Sequence, residues 1–183
     1  MKVELISDSA LVKMLKQPEQ RRRGFELMVN KYSAQLYWQI RHMVLDHDNS
    51  NDVLQETFIK AWLNIENFRG EARLSTWLYR IAANECLSFL QKQRNDEPID
   101  NSESNVANQL EADPYFDGDE TDKLLQTAVM QLPDKQRQVF TMKYFQGMKY
   151  EEMSEILDTS VGGLKASYHF ATLKIEKFFE DLD

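Results

Sequence analysis

Residues 149–179 read KYEEMSEILDTSVGGLKASYHFATLKIEKFF, and the spacing of their apolar side chains decides the fold. Met153, Ile156 and Leu157 share one side of a short first helix, Asp158 to Ser160 make a turn, and Leu164, Tyr168, Ala171, Ile175 and Phe178 recur along one side of a longer second helix. This is a helix-turn-helix outline. Such a motif lays the start of its second helix in the major groove, which makes Ser160, Gly162, Gly163, Lys165, Ala166, Ser167, His169 and Phe170 the candidate base readers. A helical hairpin in an ordinary bundle carries the same apolar spacing, so the motif alone leaves both readings open. Lys165, Lys174 and Lys177 are offset by Glu176, Glu180 and Asp181. Phosphate neutralisation supplies most non-specific affinity, so this domain by itself should bind duplex DNA poorly.

Working outward, the pattern stays helical. Thr121 is placed to cap a helix through Leu124, Leu125, Ala128, Val129 and Leu132, and Pro133 suits the first turn of the next, which runs up to Gly147. At the other end, a short helix begins at Ser7 or Asp8 and stops before Pro18. A longer one carries Phe25, Met28, Val29, Tyr32, Leu36, Ile40, Met43 and Val44 on one face. The segment DHDNSN supplies an N-cap for a helix with Val53, Leu54, Thr57, Phe58, Ala61, Trp62 and Ile65. After Gly70, Ser75 or Thr76 can cap one with Trp77, Leu78, Ile81, Ala82, Cys86, Leu87 and Leu90. No segment alternates like a half-buried strand, and the 6 Gly and 4 Pro lie largely outside the periodic stretches. The expected fold is all-α.

The net charge of -8 argues against nucleic acid until it is divided along the chain. Residues 1–94 hold 14 Lys and Arg against 11 Asp and Glu, a surplus of three; residues 95–122 hold none against ten; residues 123–183 hold eight against nine. The deficit belongs to NDEPIDNSESNVANQLEADPYFDGDETD, which is rich in Asn and Ser and lacks helical periodicity. It reads as a flexible acidic linker over residues 95–121 between a helical bundle, 1–94, and a helix-turn-helix domain, 122–183. A sharper reading has its acidity mimic nucleic acid and occupy a basic groove, with Tyr115 and Phe116 as anchors.

A second functional signal lies in NFRGEARLSTWLYRIAANECLSFLQKQR, where aromatic and basic residues interleave. Unpaired bases are held by aromatic faces and backbone cations, so Phe68, Arg69, Arg73, Trp77, Tyr79 and Arg80 suit a single strand; as core rings, Phe68 and Trp77 would serve packing instead. Arg21, Arg22 and Arg23 form a basic triplet that reads first as a solvated face. No phosphate loop, nucleophile elbow or metal-protease motif occurs, and the acids of YEEMSE read as solvated. The three histidines, His42, His47 and His169, and the single Cys86 make neither a zinc pattern nor a disulfide, so no metal, cofactor, catalytic residue or small-molecule substrate is expected. With no apolar leader or membrane span in the sequence, the expected compartment is the cytoplasm.

Together, DVxQETF, FRGE with TWLYRIAxN, LPxxxRxVFxxxY and the YEEMSEIL helix-turn-helix resemble the extracytoplasmic-function (ECF) sigma factors of bacterial RNA polymerase, built of regions 2 and 4 only. The likeness covers about residues 22–94 and 122–178. It implies a non-enzymatic specificity subunit that recruits core RNA polymerase to promoter DNA and melts the start region, is a monomer when free, and is held by an anti-sigma factor. In that resemblance Asp52, Gln55, Glu56 and Phe58 match the polymerase-binding face. Phe68, Arg69, Gly70, Glu71, Arg73, Ser75 and Thr76 match the loop that captures the melted -10 strand, with Trp77, Tyr79, Arg80 and Asn84 on the adjoining helix. Arg137 and the stretch from Ser160 to Lys174, namely Ser160, Gly162, Gly163, Lys165, Ala166, Ser167, His169, Phe170 and Lys174, match the reader of the -35 element. The second helix departs from the family: it reads GGLKASYHFATLKI where GTVKSRLHRARKKL is commoner, so the arginines aligned with Ser167, Phe170 and Thr172 are absent. The alternative is a helix-turn-helix adaptor or anti-regulator that binds protein and never DNA.

Overall fold

The structure, a computed structural model, describes residues 6–96 and 103–182. Among these the chain is helical: α1 (Asp8–Lys16), α2 (Pro18–Val44), α3 (His47–Asn64), α4 (Leu74–Asp96), α5 (Glu103–Ala112), α6 (Glu120–Met130), α7 (Asp134–Phe140), α8 (Tyr150–Leu157) and α9 (Val161–Glu180). A 3-10 turn, Ile65–Asn67, follows α3, and a wide π-helical turn, Thr141–Phe145, extends α7.

Local chemistry sets most of the boundaries. Ser7 caps α1 by accepting from the Ala10 amide at 3.3 Å, Pro18 opens α2, and Asp46 caps α3 by accepting from the Asn49 amide at 2.8 Å. Two expected caps move. α4 starts at Leu74, so Ser75 and Thr76 lie inside its first turn, and α6 is capped by Asp119 instead of Thr121. Asp119 accepts from the Asp122 amide at 2.9 Å while the Asp122 carboxylate accepts from the Asp119 amide at 3.2 Å. Two orphan donors are satisfied reciprocally there, which one threonine cannot do. Between α8 and α9 the chain turns at Asp158, in the left-handed region at φ 49°, and Ser160 caps α9 by accepting from the Gly163 amide at 3.1 Å.

α1 to α4 form the first bundle around Leu11, Leu15, Met28, Leu36, Ile40, Met43, Ala61, Ile65, Leu74 and Leu78. α6 to α9 form the second, packed on Ala128, Val129, Leu132, Phe140, Ala171 and Ile175. The two are not beads on a tether. Val139, Met142, Met153, Ile156 and Leu164 of the second bundle join the core of the first.

The linker also departs from its expected form. Residues 103–112 make α5, and Val106 and Leu110 pack with Leu45 of the first bundle and Met130 of the second. Asp113 pairs with Arg41, the ring of Tyr115 stacks on His47 at 3.7 Å, and Phe116 packs against the same apolar cluster. Acidity in the sequence hid two apolar residues four apart, enough for one stripe of a short helix. Residues 97–102, Pro98 among them, lie outside the described residues.

Candidate nucleic-acid interface

The loop before α4 is turned by Gly70, whose φ of 78° favours glycine, and it exposes Arg69, Glu71 and Arg73. Below it the aromatic residues separate into two roles. Phe68 is buried at 5 % exposure and forms the floor of the loop, with the half-buried Trp77 tilted against it at 5.2 Å between ring centres. Trp77 is therefore reachable from solvent, and Phe68 is a core ring. Along α4, Arg80 and Asn84 are exposed, whereas Thr76 and Tyr79 are buried.

The second bundle reaches this helix at Tyr79 and Arg80. The Tyr79 hydroxyl donates to Gln146 Oε1 at 3.2 Å, and Arg80 donates from Nη2 to the Glu155 carbonyl of α8. Burial pushes the Tyr79 phenol up to about 12, which keeps it a donor. Asn84 and Arg80 face Lys135, Gln138, Gly163 and Ser167 across one groove of about 580 Å³. Residues expected at the -10 strand and residues expected at the -35 duplex thus face each other.

Arg137, expected on DNA, is buried at 2 % exposure. Its guanidinium donates to the Met43 carbonyl at 3.0 Å, the Met130 carbonyl at 2.8 Å and the Leu132 carbonyl at 3.3 Å. In this arrangement it reaches no phosphate. Gln138 donates to the Ala83 carbonyl at 3.1 Å, Gln126 donates to the His42 carbonyl at 3.3 Å, and the His42 and Phe145 rings stack at 3.8 Å with 5° between their planes. Main-chain acceptors on α2 and α4 are read by side chains of α6 and α7. The pairings between the bundles have no signature in the sequence, because each joins residues far apart in the chain.

On α3, Asp52, Gln55 and Glu56 are exposed on one face, while Phe58 turns inward and packs edge-on against Phe25 at 6.2 Å. Phe58 is a core residue, contrary to its expected place on the binding face. The apolar members of the exposed face are Ile59, 44 % exposed, and Leu63, 69 % exposed. The three- and four-residue steps from Asp52 and Glu56 would have found them. The basic triplet behaves as a solvated face: Arg21 pairs with Glu66 at 2.7 Å, and Arg22 and Arg23 both lie beside Glu26.

On α9 the buried side chains are Leu164, Ala171 and Ile175, and Gly162, Gly163, Lys165, Ala166, His169, Phe170 and Lys174 are exposed, with Ser160 at the cap. Ser167 is partly covered. Among the described residues no group of acidic, histidine or cysteine side chains is arranged to hold a metal ion, and no helix is long and apolar enough to cross a membrane.

The comparisons with known proteins follow the same division. Residues 28–95 match the model for sigma-70 region 2 and residues 122–175 that for sigma-70 region 4. The chain is 30 % identical to the ECF RNA polymerase sigma-E factor of Haemophilus influenzae, covering 98 % of each chain, and 30 % identical to the ECF sigma factor SigW of Bacillus subtilis, covering 93 % of this chain and 96 % of that one. Its fold is similar to CnrH in complex with the cytosolic domain of CnrY, with a TM-score of 0.70 and 19 % identity over 95 % and 97 % of the two chains. It is also similar to the sigma factor RpoE in complex with the anti-sigma factor NepR from Bartonella quintana, with a TM-score of 0.68 and 21 % identity over 86 % and 98 %. An all-helical chain with region 2 ahead of region 4, and relatives of matching length throughout, belongs to the ECF sigma factors of RNA polymerase.

Proposed function

We infer that this sigma factor binds core RNA polymerase through α3, reads promoter DNA through the loop and helix at 69–84 and through α8 and α9, and leaves catalysis to the polymerase. The observation that carries the reading is the pairing, in one chain, of an aromatic and basic loop-helix with a helix-turn-helix, in the order and over the full length of the ECF relatives. The exposed Arg69 and Arg73 suit a backbone and the half-buried Trp77 suits an unstacked base. Asp52, Gln55, Glu56, Ile59 and Leu63 give a polymerase-facing patch with a polar rim and an apolar centre. Its place of work is the cytoplasm, with the polymerase.

The closed arrangement is a resting form. The Tyr79 hydroxyl and the Arg80 guanidinium are released from Gln146 and the Glu155 carbonyl only when the second bundle lifts from α4, so committing both to a single strand requires the two bundles to part. The joint is mixed: Gln126, Arg137 and Gln138 are polar groups that water can solvate once exposed, whereas Val139, Met142, Met153, Ile156 and Leu164 hold it closed until a partner covers them. A protein inhibitor that stabilises the closed form would act as an anti-sigma factor, and the likeness to RpoE in complex with the anti-sigma factor NepR supports such a partner.

The test is run-off transcription from a pool of genomic fragments by bacterial core polymerase, with and without the protein. New 5' ends sharing two upstream elements are expected. Binding to core polymerase without new starts would favour an adaptor.

A further inference from the structure

We propose that α9 recognises thymine methyl groups in the major groove, with Ala166 and Phe170 making the contacts. The proposal rests on the promoter-reading role above and names the base that the helix selects. Leu164, Ala171 and Ile175 fix which side of α9 is buried. At 3.6 residues per turn, the side opposite them carries Gly162, Ala166, His169, Phe170 and Leu173, all exposed, with Phe170 at 55 % and Leu173 at 46 %. This is the outward face of the second helix of the helix-turn-helix, and most of it is apolar.

Its one hydrogen-bonding side chain is His169, and the two-pronged readers of bases are missing from it. Between Val161 and Glu180 there is no Arg, Asn or Gln, so neither the two-pronged contact to guanine nor that to adenine has a donor fork. Two of the three lysines have partners within the protein, Lys165 Nζ 5.8 Å from the centre of the Tyr150 ring and Lys174 donating to Gln136 Oε1 at 2.9 Å, and Lys177 lies in the last turn, far from the end that enters the groove. What remains is the feature that only thymine offers in the major groove, its methyl group, which alanine and phenylalanine contact directly. Gly162 helps: nothing lies within 4 Å of where its side chain would begin, so the first turn presents bare backbone and can approach the base edges closely. Ala166 and Phe170 are four residues apart, about 6 Å along the axis, or roughly two base-pair steps. Two thymines close together on one strand fit that separation.

The experiment uses the full chain bound to core polymerase, selecting from a randomised duplex library. The best duplex is then remade with deoxyuridine for thymidine in its upstream element, which deletes only the methyl groups. The expected result is an upstream element containing neighbouring thymines, and affinity about fourfold weaker for each contacted methyl removed. Phe170→Ala should bind the thymidine and deoxyuridine duplexes alike, with an unchanged melting temperature, and Phe170→Leu should keep part of the discrimination. Equal binding of both duplexes by the wild-type holoenzyme overturns the proposal while leaving the sigma reading intact. So does a Phe170→Ala variant that loses polymerase instead of methyl discrimination, which would make this face a protein contact. If no upstream element is enriched, the promoter-reading role fails together with the proposal.

Discussion

Arg137 of α7 donates from Nη1 to the main-chain carbonyl of Met43, 3.0 Å away at the end of α2, so a cation expected on DNA closes the joint between the two bundles. Burial holds its pKa below the usual guanidinium value, and three carbonyls replace the water it has lost. Arg137→Ala strands those acceptors out of reach of solvent. Stability should fall by at least about 2 kcal/mol in urea unfolding. Arg137→Lys should recover only part of this, because an ammonium lacks the planar fork that spans the Met43 and Met130 carbonyls. Unchanged stability for Arg137→Ala would show that the joint is held elsewhere.

Neighbouring side chains on α3 should separate folding from polymerase binding. Phe58 is buried against Phe25, so Phe58→Ala should cost about 3–5 kcal/mol of stability. Leu63 is 69 % exposed, so Leu63→Asp should leave the melting temperature within a degree or two of wild type. A fluorescence-anisotropy titration with core polymerase should nevertheless show at least tenfold weaker binding for Leu63→Asp. Wild-type affinity for that variant would remove α3 from the polymerase interface.

Trp77 and Phe68 offer a similar contrast over the melted strand. Trp77 is accessible at the edge of the loop and Phe68 lies beneath it. Trp77→Ala should abolish permanganate reactivity of thymines in the start region while duplex binding by the second bundle survives. Phe68→Ala should lower both, through loss of the fold. Equal loss of both activities in a thermally unchanged Trp77→Ala protein would assign Trp77 to the whole holoenzyme instead of to the melted strand.

The sequence and the structure agree where information is local. The apolar stripe of α2, the stop before Pro18 and the Asp158 to Ser160 turn are encoded within a few residues, and all are present. Phe58 illustrates the limit. A ring at helical spacing can face the core or the partner, and only the position of α2 with Phe25 decides which. Arg137 shows it more sharply, since nothing near it in the chain announces that one of its three acceptors is the carbonyl of Met43, 94 residues away. α5 escaped notice for the opposite reason: the acids that make 95–122 read as solvated tether sit around Val106 and Leu110, whose burial depends on Leu45 and Met130.

Arg41 and Asp113 form a pair with side chains only 6 % and 12 % exposed, tying the end of α5 to α2. Removing one partner of such a pair leaves an uncompensated charge, whereas replacing both with apolar residues can be nearly neutral. Asp113→Leu should therefore lose about 3–5 kcal/mol, and the double variant Arg41→Met with Asp113→Leu should recover most of it. Limited proteolysis reads the same coupling locally: cleavage between residues 103 and 119 should quicken in the single variant and slow again in the double. Additive losses in the double-mutant cycle would mean that the two residues act independently.

His42 gives the joint a pH dependence whose sign follows from burial. Its ring stacks on Phe145 of the second bundle, and its Nδ1 lies 3.1 Å from Gln126 Oε1. Desolvation, with help from the neighbouring Arg41 charge, holds its pKa below the ordinary value of 6.5, although the Gln126 contact favours the charged form. The closed form then binds fewer protons than a form in which His42 meets water, so closure is fully stabilised above about pH 6.5 and is lost as the pH falls toward the lowered value. Small-angle scattering should report a larger radius of gyration at pH 5.5 than at pH 7.5. His42→Phe keeps the stack with Phe145 and has no proton to gain, so its dimensions should not change over the same range. Equal expansion of wild type and His42→Phe would place the acid sensitivity on the carboxylates, with Asp113 beside Arg41 the first to examine.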